Sequence, residues 1–428
     1  MPNPFFERLA NGLTLTVIEV PGRHQVLVSL LVRVGSRFEK AANNGASHFL
    51  EHMLFRGNAV QGNSLEIFRL FEGVGGVPNA VTEVEFTEFY FVAHPDRVAA
   101  GLEGLAHLVR EPVFPAIEKE RRVVADEILY DYDDRGQLIH PGALAAKLLW
   151  GRHPLALSVS GTPTSLQRLD EGVLRAHHRT HYTPDNMVLG LAGNISPADA
   201  LDLAGLFFGD WPSGGGALRP VPAPETAGGD EPRIRLVPHA DNQFQVQLSF
   251  PAPGYKAPEE IALLLMGRLL DDGPASRLQH RIREERGLVY HIGAGYSGFQ
   301  DAGQLDISTS VQVERLGEVV EGIVACLAEL RDEGPSAEEM VRARLRHRFD
   351  VEFERDSLAA ALGRYAWPHL YTSPRSEQEE LRLLDETSAE DIRSLAGRIF
   401  RPGRAHLVVV GPVGRRAERA VRQALKGL

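Results

Sequence analysis

Apolar residues alternate with polar ones, or run together, over 12–20 and 25–35, and both stretches are rich in Leu, Val and Ile. That patterning predicts two strands, and Pro21-Gly22 between them predicts a hairpin. After the break at Asn43-Asn44-Gly45 the spacing turns helical, with Phe49, Leu50, Met53 and Leu54 making a largely apolar helix. Ser64 caps a short amphipathic helix that reaches Phe71 and stops at Gly73. Gly75-Gly76-Val77-Pro78 precedes one long strand over 79–93, rich in Val, Thr, Phe and Tyr. Helical periodicity covers 97–110 and 115–132. Beyond a less regular stretch, Met187-Val188-Leu189-Gly190-Leu191-Ala192-Gly193 reads as a buried strand, with a helix over 196–208.

Residues 210–232 hold most of the clustered Gly and Pro, a composition unsuited to helix or central strand, and read as a linker. Beyond it the order of elements recurs. Strands over 233–238 and 243–250 form another hairpin-like pair, and helices follow over 257–270 and 274–286. Strands over 288–297 and 303–313 come next, and long helices fill most of 315–366. A final strand over 405–411 precedes a closing helix. Apolar strand, Gly, turn and helix appear in both halves, at 186–193 and at 404–411. The expectation is an α+β chain of two duplicated domains, 1–209 and 233–428, joined by the linker 210–232.

The composition, 43% apolar and 24% charged over 428 residues, fits a globular protein with at least two domains. A net charge of −11 argues against a nucleic-acid partner, which clustered Lys and Arg would serve. The single cysteine, Cys326, leaves no intramolecular disulfide and no Cys-based metal site. No apolar run approaches the ~20 residues of a membrane span. No secretory signal or transit segment is visible either, so the expected location is cytoplasmic, with no membrane partner.

The candidate chemistry sits in Ser47-His48-Phe49-Leu50-Glu51-His52-Met53-Leu54-Phe55-Arg56-Gly57. His48 and His52 stand four apart and share a helix face, so both imidazoles can reach one metal ion. Glu51 lies close to that face, as a third ligand or as general base for a water. The order H-x-x-E-H is the inverzincin form of a metalloprotease signature. Read without chemistry, the stretch is an ordinary amphipathic helix. A polar triplet on an otherwise apolar helix needs a partner, however, and a zinc ion is the economical one. Two imidazoles and a water leave tetrahedral zinc one protein ligand short. The helix 115–132 offers Glu118, Glu120, Asp126 and Glu127; Glu120 and Glu127, seven apart, face the same side, and the spacing alone does not choose between them. His177-His178-x-x-His181 could suggest a second metal site, but an exposed helix face is the preferred reading.

Those eleven residues resemble the zinc helix of the pitrilysin family. Four further stretches match that family in order. They are Gly75-Gly76-x-x-Asn79-Ala80-x-Thr82-x-x-Glu85-x-Thr87-x-x-Tyr90, Glu118-Lys119-Glu120-Arg121-Arg122-Val123-Val124-Ala125-Asp126-Glu127-Ile128, Tyr182-x-Pro184-x-Asn186-Met187-Val188 and Arg283-Glu284-Glu285-Arg286-Gly287-Leu288-Val289-Tyr290. The coverage runs from about residue 10 to about residue 410. The resemblance implies that His48, His52 and Glu127 hold Zn²⁺, that Glu120 is the accessory glutamate of the catalytic set, and that Glu51 is the general base. It implies Tyr290 at the developing oxyanion, Arg283 on a substrate carbonyl, and Asn79 and Ala80 on the strand that pairs with the peptide. Two loops depart from the family's habit: 270–277 keeps a single glycine, and His153-Pro154-Leu155 is followed by Ala156 where a glycine is common. The implied fold packs helices on an antiparallel sheet in each domain. Two subunits, a homodimer or a heterodimer with a paralogue, would form a clamshell chamber. The implied activity is zinc-dependent endopeptidase cleavage of peptides or small unfolded polypeptides. A binding or regulatory subunit of a heterodimeric processing peptidase is the alternative.

Overall fold

The computed structural model describes residues 4–216, 218–225, 229–255 and 257–428. Positions 217 and 226–228 of the expected linker lie outside the described residues. The chain forms two compact units, each built on one sheet.

The sheet of the first unit contains β1 (Phe5–Arg8), β2 (Thr14–Glu19), β3 (Val26–Val32), β4 (Asn79–Thr82), β5 (Thr87–Ala93) and β6 (Met187–Gly193). Their spatial order is β1-β2-β6-β3-β5-β4. Only β2 and β6 run parallel; the other neighbours are antiparallel. β6 carries no polar side chain and all its residues are buried, so its place is inside the sheet. It enters between β2 and β3, and this corrects the expected hairpin around Pro21-Gly22. A short loop permits strand pairing but does not impose it. Here Val28 of β3 pairs with Leu191 of β6 on one side and Phe91 of β5 on the other. The single strand expected over 79–93 is a hairpin instead. Thr82 faces Thr87, and the Glu83 N–H donates to the Phe86 carbonyl at 2.8 Å across the turn.

The second sheet contains β7 (Arg233–Pro238), β8 (Gln243–Ala252), β9 (Ile292–Gly298), β10 (Gly303–Gln312) and β11 (His406–Gly411), in the order β7-β11-β8-β10-β9. Substituting β2, β6, β3, β5 and β4 reproduces that order, so the duplication extends to the topology. The same correction follows: β11 lies between β7 and β8, parallel to the first and antiparallel to the second. The helix expected over 274–286 contains a π-helical segment, Gln279–Glu284. The helical run 315–366 divides into Leu316–Asp332, Ala337–Phe353 and Leu358–Tyr365, broken first at Gly334, whose φ of 78° a side chain rarely adopts.

The units also exchange segments along the chain. Tyr130–Ala156 belongs to the second unit and Val351–Arg375 to the first, while the remainder changes unit between Val221 and Pro222. In the second unit the helix Pro141–Trp150 sets Leu144 and Ala145 against Val237, Val408 and Val410. In the first, Leu358–Tyr365 sets Ala361 and Leu362 against Ile18, Leu31, Val188 and Ala192. Gly190 of β6 permits that approach, since a Cβ there would lie 2.9 Å from a Leu362 methyl.

Candidate metal centre

The helix Ala46–Leu54 begins at a specific junction. Gly45 has φ 89° in the left-handed region, and a Cβ there would lie 2.8 Å from the Ser160 carbonyl oxygen. The buried Glu39 carboxylate accepts the Gly45 and Ser47 N–H groups, each at 2.7 Å, and the Asn44 amide at 3.0 Å. It thereby caps the helix and adds negative charge at its positive end. Burial nonetheless pushes the Glu39 carboxyl above the usual carboxylate range. Phe49, Leu50, Met53 and Leu54 are fully buried, which leaves His48, Glu51 and His52 on the half-buried side.

Glu127 comes from the helix Ile117–Leu129. Arg121 ties that helix to its surroundings: it pairs with Glu118, donates to the Leu169 carbonyl at 3.0 Å and lies over the Phe49 ring at 5.4 Å. Glu127 Oε2 then stands 3.7 Å from His48 Nε2 and 3.6 Å from His52 Nε2. The two rings are edge to face with centroids 4.7 Å apart. Among the described residues, this is the one group of three or more His, Cys, Asp or Glu side chains placed to hold a metal ion, with ligand atoms all within 4.8 Å of one another. A tetrahedral zinc with bonds of about 2.0–2.1 Å separates its ligand atoms by about 3.4 Å, so the cluster fits that ion.

Glu120 lies behind His52. Its Oε1 is 2.9 Å from His52 Nδ1 and its Oε2 pairs with Arg56. A carboxylate accepts, so Nδ1 carries the proton and the Nε2 lone pair is left facing Glu127. His48 is held neutral, pushed down to about 4 by burial and then by the neighbouring His52, and a neutral imidazole is the ligating form. Glu51 is outside the ligand group and accepts a hydrogen bond from the Thr82 hydroxyl at 2.6 Å. Burial raises its pKa, and the Thr82 contacts act in the opposite direction. Burial, and then the charge of Glu51, raises the pKa of the Tyr182 phenol.

Asn79 and Ala80 lie at the outer end of β4, the edge of the sheet, where the Asn79 amide donates to the Tyr90 hydroxyl at 2.9 Å. Arg283 lies on the π-helical segment of the second unit, 3.5 Å from the Gln279 side-chain oxygen. Tyr290 follows on the same unit with a side chain 92% exposed. His177, His178 and His181 are neither a metal site nor an exposed face. All three are buried on the helix Glu171–His181, where His177 Nε2 lies 3.0 Å from the Ser47 hydroxyl and His178 Nε2 donates to the Val109 carbonyl at 2.7 Å. Sequence reasoning gave no role to Thr82, Arg56 or Tyr182. The available signal was a polar residue at the inner end of the Asn79-Ala80-Val81-Thr82 stretch.

Residues 15–162 match the model of the insulinase family, peptidase family M16, and residues 168–346 match the model described as the peptidase M16 inactive domain. An uncharacterized zinc protease of Mycobacterium leprae is 31% identical over 413 residues, which is 94% of this chain and 91% of that protein. The uncharacterized zinc protease YmxG of Bacillus subtilis is 27% identical over 94% of this chain and 97% of its own. In fold, the chain is similar to a protease from Helicobacter pylori, with a TM-score of 0.87 at 21% identity over 96% of this chain and all of that one. A peptidase M16 inactive domain from Pseudomonas fluorescens gives a TM-score of 0.86 at 22% identity over 96% of this chain and 99% of that one. The fold is a duplicated α+β one, with a His-His-Glu cluster in its first unit. The chain belongs to peptidase family M16, the insulinase family.

Proposed function

We propose that the chain is a zinc-dependent endopeptidase acting on peptides or small unfolded polypeptides. The observation that carries the reading is the convergence of His48, His52 and Glu127, with ligand atoms within 4.8 Å of one another, while Glu51, on the same helix as the histidines, is left outside the group. The relatives' names, zinc proteases, support it.

In this reading His48, His52 and Glu127 hold Zn²⁺, and Glu120 orients His52. Zinc held there would supply Lewis-acid chemistry, lowering the pKa of a water towards neutrality and polarising a carbonyl. Glu51 takes the proton of the attacking water and delivers it to the leaving amine as the peptide bond breaks. β4 ends its sheet, so its outer edge has backbone groups for an extended peptide, beginning at Asn79 and Ala80. That mode reads backbone more than side chains and favours broad specificity. Arg283 and Tyr290 complete the set, Arg283 on a substrate carbonyl and Tyr290 at the developing oxyanion. Two copies of the chain enclose the chamber.

Cleavage of a fluorogenic peptide, abolished by a chelator and restored by zinc, is the expected result. Glu51→Gln should keep zinc and fold while losing nearly all turnover. Turnover retained in that variant at unchanged metal content would remove Glu51 from the mechanism. A non-catalytic binding subunit is the second reading, suggested by the phrase inactive domain. That match covers 168–346, whereas the cluster lies within 15–162. Chelator-insensitive peptide binding without cleavage would favour it.

A further inference from the structure

Glu51 is the one member of the His48–Glu51–His52 triplet whose side chain is fixed by a different element of the sheet. The Thr82 hydroxyl donates to Glu51 Oε2 at 2.6 Å, and the Thr82 main-chain N–H also favours the charged carboxylate. Thr82 is buried at the inner end of β4, and side chains alternate along a strand. Ala80 and Thr82 therefore share the face towards the metal helix, which packs against β4. Pairing of Thr82 with Thr87 and of Ala80 with Phe89 fixes the height of that hydroxyl on the sheet. The Thr87 hydroxyl is committed elsewhere, to the Val34 carbonyl at 2.9 Å. A hydroxyl rotates to suit its acceptor, but it needs an acceptor when buried. The Thr82 hydroxyl finds that acceptor in Glu51.

We propose that Thr82 is a positioning residue that holds the Glu51 carboxylate in its proton-accepting orientation, so that the edge strand which takes the peptide also sets the base. The inference rests on the peptidase reading above. Thr82 touches neither the metal ligands nor the scissile bond; it acts through Glu51. An extended peptide added to β4 and the carboxylate anchored on β4 share one frame of reference. A shift of the strand would then carry substrate and base together. Such a link matters because proton transfer needs heavy atoms within about 2.6–3.2 Å.

The test compares Thr82→Val, which keeps the shape and removes the hydroxyl, with Thr82→Ser, which keeps the hydroxyl and removes a methyl. Zinc content, melting temperature, and kcat and KM on a fluorogenic peptide are measured for both and for wild type. Thr82→Val should keep full zinc and KM within about twofold while kcat falls about tenfold or more. Thr82→Ser should recover most of the wild-type kcat. Introduced into Glu51→Gln, Thr82→Val should cause no further loss, because the two act as one unit. Crystal structures give a readout independent of turnover: the Glu51 carboxylate should be displaced in the valine variant and restored in the serine variant. An unchanged kcat in Thr82→Val overturns the proposal while leaving the peptidase reading intact. So does an equal loss in Thr82→Ser, or a loss that follows zinc or melting temperature. Wild-type protein without chelator-sensitive cleavage overturns both.

Discussion

His52 meets two carboxylates, one on each ring nitrogen, and the two have different tasks. Glu120 is buried and engaged by His52 Nδ1 and Arg56, whereas the Glu127 side chain is 44% exposed and stands at the Nε2 side of both imidazoles. Glu127→Gln should therefore remove most of the zinc. Glu120→Gln should keep it at saturating metal but weaken affinity or activity by about 10–100-fold, as loss of a partner behind a ligand does. Metal analysis of the two purified variants decides, and zinc lost from the Glu120 variant alone reverses the roles. The i,i+4 spacing made His48 and His52 legible from the sequence, because helix geometry fixes that pair. The choice between Glu120 and Glu127 was not legible from spacing, since seven residues put both on one side of their helix. The Thr82 contact was hidden for another reason: it joins a helix to a strand distant in sequence.

The helix Glu171–His181 buries three imidazoles that its polar composition gave no reason to bury. Burial pushes His177 down to about 3 and His181 to about 4, and lowers His178, although the Val109 carbonyl pulls the last one back. His177 and His181 are neutral in the fold, and each has an ordinary pKa near 6.5 when unfolded. The lowered values stabilise the fold above pH 6.5, and that contribution is lost as pH falls from 6.5 towards 4. His177 and His181, kept neutral, each cost up to about 1.4 kcal/mol per pH unit in that window, or about 2 kcal/mol at pH 5. Urea unfolding in the presence of chelator should show the loss between pH 7.5 and 5, and His177→Gln should show a shallower one. Equal slopes for both proteins would mean that His177 does not titrate on unfolding. Hydrophobic patterning revealed most strands, including β6, whose uninterrupted apolar run marks an interior strand. It did not reveal partners. Two strands joined by a short loop looked like a hairpin in each half, yet a strand from much later in the chain enters between them. Period-two patterning specifies a face, and pairing depends on which strand needs to be covered on both edges.

At the scale of the whole molecule, the proposed dimer would enclose the site, with Arg283 and Tyr290 brought to the cluster in trans. His52→Ala and Arg283→Ala proteins, each nearly inactive, should then regain roughly a quarter of wild-type activity after subunit exchange, since half the dimers are mixed and carry one complete site. A mixture that stays dead places both sets in one subunit. The exchanged segments carry a separate consequence, for synthesis on the ribosome. A domain made from consecutive residues can fold as soon as its last residue emerges. The first unit cannot, because Ala361 and Leu362 cover β6 and lie within Val351–Arg375, after most of the second unit has been made. Between Val221 and Arg375 the ribosome adds roughly 150 residues, which takes about 8–30 s at ordinary rates of translation. During that interval Ile18, Leu31, Val188 and Ala192 lack their covering helix, and the nascent chain carries an open apolar face. Stalled nascent chains of increasing length should therefore remain sensitive to protease in residues 4–129 and 157–216 until position 375 has cleared the exit tunnel, and become resistant there in one step thereafter.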